Sequence, residues 1–93
     1  MFFRCKNPQK LVLGAASVVS NAVGEQLVVI RPTVNIFFAY GAAPVAAVNG
    51  NTCHFLNAGE AFGLRLDDPA HKIAAIPETG TAGAVYLSSL GSY

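Results

Sequence analysis

Four side chains in this sequence can act as soft or imidazole ligands: Cys5, Cys53, His54 and His71. A structural zinc site needs two closely spaced ligand pairs. Here only Cys53 and His54 are close, and they are adjacent. Adjacent strand residues point to opposite faces. The pair is therefore poorly placed for shared ligation, and equally poorly placed for a thiol–imidazole dyad acting at one atom. The carboxylates are Glu25, Glu60, Asp67, Asp68 and Glu78. Only Asp67-Asp68 forms a pair, and it precedes Pro69. That setting reads as an Asx-type turn, with too few oxygen ligands nearby for calcium. Ser17, Ser20, Ser88, Ser89 and Ser92 lack a G-x-S-x-G setting. The stretch Pro77 to Gly83 has glycines but no phosphate-loop lysine. The sequence is read as not an enzyme, with no catalytic residue, no metal and no cofactor.

The elements that carry these residues are those of a small β domain. The chain has 93 residues, enough for one domain with a modest core. Hydrophobic residues make up 53% and charged residues 12%, with a net charge of +1. A chain this small cannot hide so much apolar surface internally, and exposed apolar patches mark interaction sites. Self-association, or membership of a larger assembly, is expected. Arg4, Lys6 and Lys10 form a small basic group, while Arg31, Arg65 and Lys72 are scattered. A nucleic-acid footprint needs clustered cations, so no nucleic-acid partner is expected. The start MFFRCKNPQK and the apolar LVLGAASVVSNA after it resemble a secretory leader, but Asn7-Pro8 breaks their junction. Asn21, Glu25 and Gln26 interrupt the longest apolar run, so no membrane span is expected. Cys5 and Cys53 are read as reduced, buried thiols.

The densest β signal is LVVIRPTVNIFFAYG, Leu27 to Gly41. Its β-branched and aromatic residues favour two strands flanking Pro32, which marks a strand edge or corner. In the first, Val28 and Ile30 face one way and Leu27, Val29 and Arg31 the other, which implies a sheet covered on both sides. In the second, Val34, Ile36, Phe38 and Tyr40 are assigned to the core. Further strands are expected at Val45 to Val48, Cys53 to Leu56, Glu60 to Leu66, His71 to Ile76 and Ala84 to Ser89. In the sixties, Phe62, Leu64 and Leu66 form the inward set. In the last strand, Val85 and Leu87 lie on one side and Tyr86 on the other. Asn7-Pro8-Gln9-Lys10 reads as a turn, and Asn49-Gly50 as a type I′ hairpin turn. AASVVS, Ala15 to Ser20, stays open between strand and helix. Short strands separated by regular turn signals predict an all-β fold: a small antiparallel β-sandwich or jelly-roll-like barrel with an N-terminal arm. Residues 1–10 form that arm or a first strand, and residues 11–93 a single β-sandwich domain.

The order of features after Gly24 carries a resemblance. A strand leads to TVNIFFAYG, followed by APVAAVNGN, by CHFLNAGEAFGL with its L-x-A-G-E step, and by HKIAAIPETGTAGAVYLSSL. From about Leu27 to Leu90 this resembles small β-sandwich structural proteins of tailed bacteriophages. The resemblance implies a virion protein, foremost a capsid decoration (cement) protein. Such a protein binds the outer capsid surface as a dimer or trimer and stabilises the shell. Its partners would be copies of itself and the major capsid protein or other virion proteins. It would be assembled in the bacterial host cytoplasm and reside on the capsid surface. Phe2, Phe3, Arg4 and Lys6 are the expected assembly contacts, because a terminal arm can reach a neighbour. The alternative is a tail, neck or fibre module that binds host glycans or another virion protein, with Tyr40, Tyr86 and Tyr93 stacking on sugars.

Overall fold

Proline and asparagine in the first strand explain why it is longer than its sequence announces. The computed structural model describes residues 3–50, 53–80 and 82–92; at Phe3, Arg4, Lys6 and Ser92 it is the backbone that is described. β1 (Phe3–Leu13) runs unbroken through Asn7-Pro8 and pairs antiparallel with β8 (Gly83–Ser92). The register moves from Lys6↔Ser89 to Gln9↔Leu87, so Asn7 and Pro8 together oppose one residue. This is a β-bulge, where a left-handed residue and a missing N–H are both tolerated. Asn7 takes φ 47°. The turn expected at Asn7 to Lys10 is therefore a bulge, and the stretch left open between arm and strand is strand from Phe3 onward. The proposed boundary between residues 10 and 11 falls inside β1. With 11 residues at about 3.3 Å each, β1 alone accounts for most of the molecule's 39 Å long axis.

Among the described residues the chain forms eight strands and no helix. The others are β2 (Val18–Val19), β3 (Leu27–Pro32), β4 (Ile36–Gly41), β5 (His54–Leu56), β6 (Phe62–Arg65) and β7 (Lys72–Pro77). They form two four-stranded antiparallel sheets, one in the order β1-β8-β3-β6 and the other β2-β7-β4-β5. The fold is a small β-sandwich. AASVVS resolves as strand at Val18-Val19, but the strand expected at Val45 to Val48 does not form.

Pro32 makes the corner between the sheets. β3 ends on it in the first sheet, and β4 begins at Ile36 in the second. Thr33 N–H donates to Ala84 O at 2.9 Å, toward β8. By alternation, the nitrogen of Pro32 faces the β6 side, where β6 has already ended at Phe62, opposite Ile30. The missing donor therefore costs the ladder nothing. Val34 then packs against the start of β8, where a Cβ on Gly83 would lie 2.7 Å from a Val34 methyl. Only glycine fits there.

The core lies between the sheets. Val28 and Ile30 of β3, Ile36 and Phe38 of β4, Leu56, Ile73, Ala75, Val85 and Leu87 are buried together. Leu11 and Leu13 close it from β1, and Val23 and Leu66 from the loops. The buried hydroxyls are satisfied. Ser89 Oγ donates to Val23 O at 2.6 Å. Ser20 Oγ accepts from Ile73 N–H at 2.9 Å and donates to Asn21 O at 2.7 Å. Two assignments change at the rim. Tyr40 and Phe62 have inward register, but both sit where the sandwich opens and are 40% and 42% exposed.

Candidate functional site

The residues with chemical potential are dispersed. Cys5 is exposed on β1, and Cys53 is half-buried in the loop before β5; both are free thiols, so neither is the fully buried thiol expected. Cys53 Sγ accepts from Ala47 N–H at 3.4 Å and donates to Val45 O at 3.9 Å. The His54 ring goes elsewhere, stacking on Tyr40 at 5.9 Å and lying 5.4 Å from Phe38. Among the described residues no three His, Cys, Asp or Glu side chains gather to hold a metal. Asp68 forms the Asx turn: its carboxylate accepts from Ala70 N–H at 2.8 Å, and its carbonyl from His71 N–H at 3.0 Å. Of the expected assembly contacts, Phe2 lies outside the described residues. Phe3, Arg4 and Lys6 are in register with Ser92, Gly91 and Ser89 on the edge strand β1.

What the fold does assemble is surface, and its two outer faces differ. On the β2-β7-β4-β5 sheet, Ala39 and Ala74 are cross-strand partners on the outer side, yet both are buried, at 7% and 0%. The cover is the segment of residues 42–50. It leaves β4 at Gly41, crosses the sheet toward β2, and is fixed there by Ala46 N–H donating to Ser17 Oγ at 3.0 Å. Pro44 and Ala46 are the buried residues of this segment. Within this strap Gly50 N–H bonds Ala47 O at 3.0 Å, and Asn49 takes φ 56°. The positive-φ residue foreseen at Asn49-Gly50 is present. It serves a turn inside the strap, with Val48 and Asn49 at its centre, not a two-residue hairpin. β7 consequently reads as buried on three successive residues, Ile73, Ala74 and Ala75.

Among the described residues the outer face of the β1-β8-β3-β6 sheet has no such cover. Here the double coverage expected of Leu27 to Arg31 fails: Leu27 and Val29 are half-buried and Arg31 exposed. One cross-strand row reads Lys10, Tyr86, Arg31. Lys10 Nζ stands 5.8 Å from the centre of the Tyr86 ring, a cation–π contact. A second row reads Cys5, Leu90, Leu27, Arg65. Val29, Ser88 and Gly63 lie between them. Ala84, held at the corner by Thr33, is buried on this side.

Charge is sorted by element. All six cations sit in strands: Arg4, Lys6 and Lys10 in β1, Arg31 in β3, Arg65 in β6 and Lys72 in β7. All five carboxylates sit in loops. The uncovered sheet thus holds every cation but Lys72, and its strands hold no acid.

A third feature is the open edge between β5 and β6. Phe62 approaches Phe38 at 5.8 Å, and Phe38 approaches His54, which stacks on Tyr40 with the rings 17° apart. The opposite edge is closed by Gln9, whose side chain accepts from Asn21 N–H at 2.9 Å and donates to Ala22 O at 3.3 Å. Sequence reading named Tyr40 and Tyr86 as exposed aromatics but missed the row that Lys10, Tyr86 and Arg31 make. Those three residues are remote in the chain. Lys10 falls in the expected turn and Arg31 on a face expected to be covered, and the strand order that aligns them with Tyr86 is not readable from the sequence. The chain matches no known protein family, no curated protein and no solved structure.

Proposed function

We propose that this chain is a virion structural protein of a tailed bacteriophage, a decoration protein that binds the outer capsid surface as a dimer or trimer and stabilises the shell. One observation carries the reading: among the described residues a sheet face is left uncovered, apolar at its centre and cationic at its margins. Exposed Val12 and Tyr86, at 69% and 47%, add to it. Surfaces of this kind favour assembly over solitary existence. The resemblance of Leu27 to Leu90 supplies the virion context. The mechanism is mass action: many modest contacts, multiplied by oligomerisation, shift the shell toward its closed state. Light scattering of the purified chain is expected to give a dimer or trimer, and adding it to shells that lack it is expected to raise their melting temperature. A chain that stays monomeric and leaves shell melting unchanged would remove the proposal.

A second reading draws on the edge between β5 and β6. The exposed Tyr40–His54 stack is a flat platform of the sort that packs on a sugar ring. In that case the chain is a tail or fibre module, and a glycan array separates the two readings directly.

A further inference from the structure

We infer that the outer face of the β1-β8-β3-β6 sheet is a docking surface for an acidic protein surface on a different polypeptide. The inference deepens, and rests on, the reading of the chain as an assembly subunit. Lys10, Tyr86 and Arg31 form one cross-strand row, and Arg65 flanks Leu27 at the other end of the face. Between them lie Leu27 and Val29, half-buried and without a cover. An apolar centre with an aromatic and arginines at its margin is the residue pattern of a protein interface.

The chemistry of the occupant follows from charge and spacing. Lys10 and Arg31 lie two strands apart, about 10 Å at the backbone, and Arg31 and Arg65 lie about 14 Å apart by strand rise and spacing. Nucleic acid presents charge every few ångströms and rewards dense cations. Isolated cations around an apolar centre instead match separate carboxylates around an apolar patch. A second copy docking face to face is disfavoured as well. An isologous contact sets like patch against like, and the strands of this sheet carry cations without carboxylates. The other sheet keeps Val19 and Phe55 exposed, but of the six cations its strands carry Lys72 alone, so it lacks the spaced charges that select an acidic partner.

The test compares Arg31→Glu/Arg65→Glu with Lys72→Glu, a charge reversal on the strapped sheet. The probe is an immobilised synthetic glutamate–leucine peptide, with a lysine–leucine peptide and a single-stranded oligonucleotide beside it. The wild-type chain is expected to bind the glutamate–leucine peptide in low salt and to release it in high salt. The double variant is expected to bind about tenfold more weakly or worse, while Lys72→Glu binds like wild type. Arg31 and Arg65 are exposed, so the double variant should melt like wild type; if it does not, Arg31→Gln/Arg65→Gln takes its place. Equal binding by the double variant, or an equal loss in Lys72→Glu, overturns the inference. So does tighter binding to the oligonucleotide, or self-association that the double variant abolishes. The same variants in a particle-binding assay separate this inference from the reading beneath it. If both wild type and double variant join the particle, the assembly role stands and this face is not the contact. If wild type joins no particle, the assembly role itself fails.

Discussion

The two sheets have the same number of strands and share one core, yet one has the centre of its outer face covered by its own chain and, among the described residues, the other does not. The difference begins with side-chain size. On the strapped sheet the outward positions at the centre are Ala39 and Ala74, small enough for the chain to lie across them. On the bare sheet the equivalent positions hold Leu27, Val29, Arg31 and Tyr86, whose bulk and charge leave no bed for a loop. A covered face behaves like core and a bare one like surface. The comparison therefore shows which side of the sandwich is left for something outside the chain.

The largest expected effect sets a lysine on each face. Ala74→Lys places an unpaired charge under the strap and is expected to cost about 4 kcal/mol or more. Val29→Lys, whose stem can lie along the sheet with its head in water, is expected to cost about 1 kcal/mol or less. Urea unfolding midpoints measure both. Similar losses would mean that the two outer faces are equally enclosed. A middle-sized effect comes from the strap's anchor. Ser17→Ala removes the acceptor for Ala46 N–H and is expected to cost about 1 kcal/mol. It should also speed hydrogen exchange at Ala46 while leaving β8 amides unchanged. Uniform acceleration through both sheets would show that strap and core open as one. The smallest effect is at the bare face. Tyr86→Ser loses the Lys10 contact and little packing, with a stability change of about 0.5–1 kcal/mol. A larger loss in urea would mean that Tyr86 supports the fold and not a surface.

Much of the inward half of this design was legible before the structure. Val28 and Ile30 in β3 and Ile36 and Phe38 in β4 follow from alternation and are buried as expected, while in β8 alternation separates Val85 and Leu87 from Tyr86 without saying which side is inward. The corner at Pro32 follows from its missing donor. The strap was not legible. Alternation tells inward from outward, but it cannot tell whether the outward side meets water or another piece of chain. Ala39 and Ala74 were the available signs, and small residues are equally at home on an open surface. Asn7-Pro8 misled for a related reason: the backbone conformation that suits a turn also suits a bulge. Tyr40 had the right parity and the wrong depth, because register says nothing about distance from the rim. The cationic face needed the order β1-β8-β3-β6 before remote residues became one row.

The two cysteines give the strap a clock. Cys5 stands exposed on an edge strand, and a thiol reagent in excess should modify it at the rate of an unhindered thiol. Cys53 is half-buried at the base of the strap and engaged by Ala47 N–H and Val45 O, so its modification is slower while those contacts hold. The ratio of the second labelling rate to the first in one tube then falls as the strap seats more firmly, with reagent strength cancelled. A partner that sits on the bare sheet and stiffens the sandwich would slow the second rate without touching the first. The chain thus carries its own timer for whether occupancy on one side is felt on the other.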